Sequence, residues 1–258
     1  MKPVLFSFDI EEFDVPLEYN KVISFENQLK ISIEGTSIVL DLLRESGVKA
    51  TFFSTATFAM HATPIIDRLC AEGHELASHG FYHSEFEEAH LAQSKAKLEE
   101  ISQREVVGFR MPRMMPIDNG AILRAGYTYD SSLNPIFLPG RYNNFSRPRE
   151  PHRNDGLLEI PASTTPLLRI PLFWLSFHNF PLWFYKQACR QTMDHDGHLN
   201  LYFHPWEFVD LTLSEFGLPW FVSKNSGTHM IERFRALIYW MKLQGFKFTT
   251  FKDFIKTV

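Results

Sequence analysis

The amino-acid sequence predicts an α/β fold in which parallel strands form a closed or nearly closed barrel. Short apolar runs alternate with amphipathic helical patterns from one end of the chain to the other, which is typical of βα units. The chain has 258 residues and about seven such repeats, and at this size a barrel fits at least as well as an open sheet. With 45% hydrophobic and 22% charged residues, the composition is that of one large globular domain or two small ones.

The predicted strands are short apolar runs, many of them rich in aromatic or β-branched residues. In chain order they are VLFSF at 4–8, ATFFS at 50–54, the run leading into HELASH at 74–79, VVGFR at 106–110, YTYD at 127–130, LLEI at 157–160, LNLYFH at 199–204 and FKFTT at 246–250.

The predicted helices place apolar residues at helical spacing, and several of them end at a glycine. The first extends from Glu34 to Glu45 and stops at Gly47. In the second, Thr63 is a candidate N-cap and Pro64 occupies the first helical position. Further helices are predicted around 88–103, 117–125, 181–193 and 228–243.

Charge and hydropathy argue against two classes of partner. The formal net charge of −4 provides no basic surplus for nucleic acid. No apolar run is long enough to span a membrane, and the N-terminus lacks the features of a signal peptide, so a cytoplasmic protein is the expectation. Cys70 and Cys189 lie far apart within helical patterns, so we expect buried free thiols.

Polar residues stand at the C-terminal ends of several predicted strands. Side chains at these ends converge on one face of a parallel barrel, which is where such folds place their chemistry. The candidate site residues are therefore Asp9, Glu11, His79, Arg110, Asp130, Glu159 and His204.

Two groups of side chains suggest a metal site. His79 and His83 are four residues apart and could present two nitrogens on one side of a helical turn, although a capping or surface pair is the alternative. In the acidic run FDIEEFD, Asp9 and Glu11 would project to the same side of an extended backbone, one as a metal ligand and the other as a general base. Glu12 would point the other way. A solvated acidic loop is the alternative, but the position directly after a buried strand argues against it.

Five ordered motifs, FDIEE, SHGFYH, FRMPR, YDSS and LYFHPWEF, resemble those of the polysaccharide deacetylases of the NodB type, carbohydrate esterase family four. The likeness covers nearly the whole chain, so it implies a single domain over residues 1–258 with a distorted (β/α)7 barrel. The spellings FDIEE, SHGFYH, YDSS, LLEIPAS and FHPWEF are most similar to the branch associated with bacterial exopolysaccharide synthesis.

The resemblance implies a divalent metal, usually zinc, held by His79, His83 and one carboxylate. Asp9 matches the catalytic base. The usual motif has two adjacent aspartates, whereas this chain has Asp9, Ile10, Glu11, Glu12. Glu11 is the favoured ligand and Glu12 the alternative.

The remaining implied roles concern the base and the acid. Arg110 would orient Asp9, with Pro112 in the turn behind it. His204 would protonate the departing amine, and Asp130 matches the carboxylate that raises its pKa, a role that Glu159 could share.

The residues around His204 could also shape the substrate pocket. Leu201 and Trp206 flank it and could form an apolar slot for the acetyl methyl group, and Pro112 is a further candidate for substrate binding. The aromatic segment 172–185 is expected to be buried or to contact a partner, with a sugar-stacking wall or a membrane-interface element as the alternatives. The basic loop 141–153 is expected to be exposed.

The function implied by the resemblance is metal-dependent removal of acetyl groups from amino sugars of a polysaccharide or its precursor. An O-acetyl esterase or a small-amide hydrolase on the same fold would use the same base and metal residues. A non-catalytic glycan-binding or scaffold protein is the alternative from another class, because fold alone does not determine function.

Overall fold

The computed structural model describes residues 2–139 and 142–258, and it confirms the predicted α/β fold as a sheet curled into a half-barrel. The strands of the described residues are β1 (Pro3–Ile10), β2 (Thr51–Ser54), β3 (Glu75–Ser78), β4 (Gly108–Phe109), β5 (Tyr129–Asp130), β6 (Phe137–Leu138), β7 (Tyr142–Asn143), β8 (His152–Asn154), β9 (Leu157–Glu159), β10 (Leu199–Phe203) and β11 (Lys247–Thr249).

The helices surround this sheet and connect its strands. They are α1 (Val15–Glu18), α2 (Phe25–Ser46), α3 (Ala56–His61), α4 (Thr63–Ala71), α5 (Ala89–Ser102), α6 (Asn119–Arg124), α7 (Trp174–Asn179), α8 (Leu182–Asp196), α9 (Trp220–Ser223), α10 (Thr228–Leu243) and α11 (Phe251–Phe254). None of the helices in these described ranges has the length and apolar character needed to span a bilayer.

The main sheet has the strand order β10-β1-β2-β3-β4-β5-β9-β8, and β11 also pairs with β1. Its pairings are parallel except for β8 with β9. The carboxyl ends of the parallel strands therefore meet at one face, as the βα alternation predicted.

Asn200 connects β10, at one end of the strand order, to the residues that follow β9, near the other end. Its carbonyl accepts from the Ser163 amide at 2.9 Å, and its side-chain amide donates to the Ile160 and Pro161 carbonyls at 3.1 and 3.0 Å. A buried asparagine thus connects the two ends of the curled sheet, between which the described strands form no regular pairing.

Two hydrophobic layers hold the sheet. Alternate strand residues face inward and pack with Phe251 and Phe254 of α11, forming an inner cluster of Leu5, Phe53, Ala77, Val107, Tyr129, Leu158 and Ile160. The opposite faces of the strands pack against α2, α8 and α10 in the larger outer core. Cys70 and Cys189 are free and buried in this outer core, as predicted.

Three sequence-based boundaries need correction. Helix α2 begins at Phe25 rather than Glu34, because Ser24 caps it by accepting from the Asn27 amide at 3.3 Å. Thr63 is the first residue of α4 rather than its N-cap. The N-cap is Ala62, the single residue between α3 and α4, and its side chain has no acceptor that could cap the helix.

The stretch 139–156, which includes the basic loop predicted at 141–153, contains regular structure. Strands β6 and β7 form an antiparallel hairpin, and β8 pairs antiparallel with β9. Residues 140 and 141 of this loop, including the start of the basic segment, lie outside the described residues. These strands have two or three residues each, too short to show an alternating pattern in sequence.

Candidate metal centre and active site

A cavity of about 300 Å³ opens at the carboxyl ends of β1, β3 and β10. Five of the predicted polar residues line it, namely Asp9, Glu11, His79, His83 and His204. They lie at or just beyond the carboxyl ends of β10, β1 and β3, which are three of the four consecutive strands β10-β1-β2-β3, so the strand order of the sheet brings them together.

Glu11, His79 and His83 form a cluster whose ligand atoms all lie within 4.8 Å of one another. Glu11 Oε2 is 3.0 Å from His79 Nε2 and 3.1 Å from His83 Nε2. Glu12 turns away and accepts a hydrogen bond from Thr55 Oγ1 at 2.9 Å. The geometry therefore distinguishes Glu11 from Glu12, as strand parity predicted.

The two histidines lie in an irregular loop rather than on a helical turn, which corrects that expectation. His79 directly follows β3, and Gly80, with φ of +81°, turns the chain so that His83 returns over it. The two rings stack with centroids 5.9 Å apart. Glycine tolerates this backbone conformation, which other residues rarely adopt.

Each imidazole has an oxygen atom close to its Nδ1 atom. His79 Nδ1 lies 2.9 Å from the Arg110 carbonyl oxygen, and His83 Nδ1 lies 2.9 Å from Asp14 Oδ1. Metal-binding histidines usually donate their second N–H to such an acceptor, which leaves the Nε2 lone pair for the cation. Asp14 is a neighbour that the sequence interpretation did not assign, although it lies in the same acidic run.

These residues fit a divalent cation. Glu11 Oε2 is buried and makes no hydrogen bond of acceptable geometry, although two ring nitrogens face it at about 3 Å. A cation held by one carboxylate oxygen and two imidazole nitrogens would satisfy all three atoms and leave further coordination positions open, as in catalytic zinc sites.

The charges of the cluster are mutually dependent. Burial raises the pKa of Glu11, but His83 and His79 outweigh it and lower that pKa to about 2. Burial lowers the pKa of His83, but Glu11 and Asp14 outweigh it and raise that pKa to about 9. When no cation is bound, the positive charge of His83 keeps Glu11 ionised. A bound cation would take over this role and displace the proton from His83.

Asp9 and His204 stand on either side of the space in front of this cluster. Asp9 Oδ1 accepts from Arg110 Nη1 at 2.6 Å, and Asp9 Oδ2 lies 4.0 Å from His204 Nε2. Arg110 is fully buried, stacks 4.1 Å from the Phe53 ring centroid and donates from Nε to the Ser131 carbonyl. The guanidinium is thereby fixed, and it directs the second Asp9 oxygen towards the cavity.

Among the described residues, neither Asp130 nor Glu159 forms a hydrogen bond or ion pair with His204, so the implied role of these two acids stays a prediction without a direct contact behind it. Asp130 accepts from Ser132 Oγ at 2.5 Å, and Glu159 accepts from the Leu133 amide at 3.1 Å. Burial raises the pKa of both groups. The two acids lie beside each other on the paired strands β5 and β9, near Arg110.

The carboxylate that does meet His204 is Glu207, three residues further along the chain. Glu207 Oε1 accepts from the His204 amide at 2.5 Å and lies 3.2 Å from His204 Nδ1. The spacing of a polar residue and a glutamate three positions later is that of a capping box, which is the sequence signal that could have identified it.

The apolar wall also differs from the expectation. Leu201 packs in the outer core, and the next residue, Tyr202, faces the cavity instead. Pro112 lies beneath Gly80 rather than on the cavity wall. Trp206 does line the cavity and stacks on His204 with centroids 4.8 Å apart.

The aromatic segment contributes the opposite wall. Phe173, Trp174 and Leu175 line the cavity, and Trp174 meets the His204 ring edge-on at 5.3 Å. Other residues of the segment, such as Phe177, are buried as expected, whereas Trp183 is exposed. The sequence left a wall of cavity-lining rings as an alternative to burial, because the position of these rings depends on how α7 packs on β10.

Comparison with known families matches the chain in two parts. A model of the polysaccharide deacetylase family matches residues 22–120, which include His79, His83 and Arg110. A domain of unknown function (DUF3473) matches residues 131–256, which include His204 and Glu207. Asp9 and Glu11 precede both matched ranges.

Solved structures share the fold over almost the whole chain. A candidate polysaccharide deacetylase from Mycobacterium smegmatis is 20% identical, with a TM-score of 0.68, over 99% of this chain and 89% of that one. A candidate polysaccharide deacetylase from Pseudomonas aeruginosa PAO1 is 16% identical, with a TM-score of 0.64, over 97% and 88%. A carbohydrate esterase family four pseudoenzyme from Bacillus anthracis is 12% identical, with a TM-score of 0.56, over 98% and 64%.

Proposed function

We propose that this chain is a metal-dependent deacetylase. The match to the polysaccharide deacetylase family model and the fold shared with candidate polysaccharide deacetylases support this proposal. It removes N-acetyl groups from amino sugars of a polysaccharide or of its precursor, and residues 1–258 act as one catalytic domain. We further propose that the enzyme acts in bacterial exopolysaccharide synthesis, because its motifs FDIEE and FHPWEF are most similar to those of the branch associated with that process.

The observation that carries the proposal is the joint placement of three kinds of group on one cavity. The Glu11–His79–His83 cluster, the Asp9 carboxylate and the His204 imidazole all line it. A purely structural cluster would not need a base and an acid facing the same space 4.0 Å apart. Amide hydrolysis needs both of these groups beside an electrophilic centre.

Glu11, His79 and His83 would hold the cation, and zinc is the proposed metal because it accepts one carboxylate and two imidazole ligands readily. When bound, such a cation polarises an acyl oxygen and makes a neighbouring water more acidic.

The chain's own residues would move the protons. Asp9 Oδ2 would take a proton from the attacking water, while Arg110 holds Asp9 Oδ1 and fixes its orientation. His204 Nε2 would donate a proton to the departing amine nitrogen. Trp174, Tyr202 and Trp206 would bind the acetylated sugar by apolar contact and exclude water around it.

The proposal is tested by two measurements on the purified protein. Metal content by mass spectrometry is expected to show one divalent cation per chain. Acetate release from N-acetylglucosamine oligomers is expected to stop after chelation and to return on addition of Zn²⁺. Asp9→Asn is the matched control, because it should retain the metal and release no acetate.

The other outcomes separate the alternatives. Metal without acetate release from these oligomers, but with release from O-acetylated sugars or small amides, would favour the esterase or amidase on the same site. Absence of metal affinity together with binding of the oligomers would favour a glycan-binding protein, and the pseudoenzyme among the structural neighbours shows that this fold occurs without turnover.

A further inference from the structure

We infer that Glu207, backed by His178, is the positioning residue that orients His204 and retains its proton. The inference rests on the proposed role of His204 as the acid. It replaces Asp130, the acid that the family resemblance assigned to this task, with a carboxylate from the same turn as His204.

The first argument is geometric. Glu207 follows His204 on a short 3-10 turn at Pro205–Phe208, so its side chain folds back on the residue that begins the turn. One oxygen, Oε1, accepts from the His204 amide at 2.5 Å and faces Nδ1 at 3.2 Å. With Nδ1 directed at Glu207, the Nε2 atom must face the cavity, where Asp9 Oδ2 lies 4.0 Å away.

The second argument concerns the other oxygen of the same carboxylate. Glu207 Oε2 lies 3.1 Å from His178 Nε2, and both side chains are completely buried. His178 belongs to α7, which packs against β10, and its carbonyl accepts from Asn225. The order His178–Glu207–His204 therefore connects a buried helix to the cavity through one carboxylate.

The third argument is that burial on this scale has an energetic cost. A fully buried carboxylate is stable only when it is paired and hydrogen-bonded. The described side chains that meet it are these two histidines, and one of them faces the substrate cavity. Because the whole turn at Pro205–Phe208 is buried, the charge of Glu207 is balanced by these imidazoles rather than by solvent.

The charges around His204 agree with this assignment. Burial lowers the pKa of His204, but Glu207, Glu11 and Asp9 outweigh it and raise that pKa above its ordinary value. Burial raises the pKa of Glu207, but His178 and His204 outweigh it and keep that pKa low. The charged groups facing His204 are thus Glu207 from its own turn and Asp9 and Glu11 from the end of β1. Removal of the Glu207 charge should make His204 lose its proton at lower pH.

The test is an NMR titration of the His204 ring in the protein as purified, with the resonance assigned from His204→Gln. In the wild-type chain the midpoint is expected above pH 6.5, the ordinary pKa of histidine. In Glu207→Gln, which keeps the shape and removes the charge, the midpoint is expected to fall by about one pH unit or more. Asp130→Asn is the competing variant and should move this midpoint by less.

Turnover gives the second measurement. The alkaline limb of kcat/KM reports loss of the acid's proton, so Glu207→Gln should move that limb to lower pH without changing the metal content. Glu207→Asp keeps the charge but places it further from His204. Its alkaline limb and its His204 midpoint should therefore lie between those of Glu207→Gln and those of the wild-type chain. This variant also provides the test if Glu207→Gln fails to fold.

Several results would overturn the inference. They are a His204 midpoint in Glu207→Gln or Glu207→Asp equal to that of the wild-type chain, and a larger shift in Asp130→Asn. If the wild-type protein releases no acetate, the proposed function fails, but the titration still decides whether Glu207 controls His204.

Discussion

At the scale of single residues, Glu11 and Glu12 are adjacent acids with different surroundings. Glu11 faces two imidazole nitrogens, whereas Glu12 accepts from Thr55, the residue that caps α3. Because the two side chains leave the backbone on opposite sides, one residue of register decides which of them meets the histidines.

We therefore predict that Glu11→Ala weakens Zn²⁺ binding by more than the roughly 10- to 100-fold loss that is typical when a residue contacting a ligand, but not the metal, is replaced. Glu12→Ala should leave Zn²⁺ affinity within a few fold and should lower stability instead, because it removes the partner of Thr55. Calorimetric titration with Zn²⁺ measures both affinities. Equal losses, or the reverse ranking, would move the proposed ligand to Glu12.

His79 and Asp9 provide a second contrast at this scale. His79→Ala is expected to abolish metal binding and acetate release together, because it removes a ligand. Asp9→Asn is expected to keep the metal and lose turnover, because the amide cannot accept a proton from water. Metal analysis and an acetate assay on both variants check this prediction, and full activity in either one would refute the assignment.

Asp14 acts one step further from the proposed cation. Its Oδ1 lies 2.9 Å from His83 Nδ1, and its Oδ2 accepts from Arg113 at 3.0 Å. Asp14→Asn should weaken Zn²⁺ binding by about 10- to 100-fold, because it loosens the ring without removing a ligand. A calorimetric Zn²⁺ affinity equal to that of the wild-type chain would show that His83 needs no such support.

At the scale of elements, helix α2 packs directly on the turn that carries His204 and Glu207. A Cβ atom built on Gly35 would lie 2.1 Å from the Pro205 carbonyl oxygen and 2.5 Å from its carbon. These are backbone atoms, so a side-chain rotation cannot relieve the overlap. The close approach of helix and turn thus depends on a residue without a side chain.

Gly35→Ala is accordingly expected to lower the free energy of unfolding by about 1–3 kcal/mol, the cost of overpacking. In an open helix the same change would raise stability, since alanine has the higher helix propensity. Urea denaturation measures the difference, with the exposed neighbour Glu34→Ala as the control. A stabilised Gly35→Ala variant would mean that α2 and the turn can separate without cost.

At the scale of the whole molecule, the curled sheet is completed by Asn200 rather than by a further strand. Its side-chain amide donates to Ser131 Oγ, the Ile160 carbonyl and the Pro161 carbonyl. All of these groups are buried close to Arg110, which itself donates to Ser131. Closure of the barrel and orientation of the base therefore share one hydrogen-bond network.

Asn200→Ala should lower the free energy of unfolding by about 1–3 kcal/mol, because it removes the side-chain donor to the buried Pro161 carbonyl and one of the donors to the Ile160 carbonyl. It should also reduce turnover, since Ser131 helps to hold Arg110. The exposed Asn27→Ala provides the matched control for urea denaturation. An unchanged unfolding midpoint in Asn200→Ala would show that the sheet is closed by other contacts.

The sequence alone determined the α/β class, most strands of the main sheet, and the polar residues at the carboxyl ends of those strands. These features depend on local periodicity and on the convergence of parallel strands, both of which a single sequence contains. The separation of Glu11 from Glu12 belongs to the same group, because side chains alternate along an extended backbone.

The tertiary structure decided which groups surround His204. Glu207 lies three residues away, but His178 and Trp174 reach the same place only because α7 packs on β10. Leu201 was misplaced although it is a neighbour of Tyr202, because the apolar run of β10 is buried on both faces and does not show which face meets the cavity. Contacts between residues distant in sequence follow from packing, which no local pattern records.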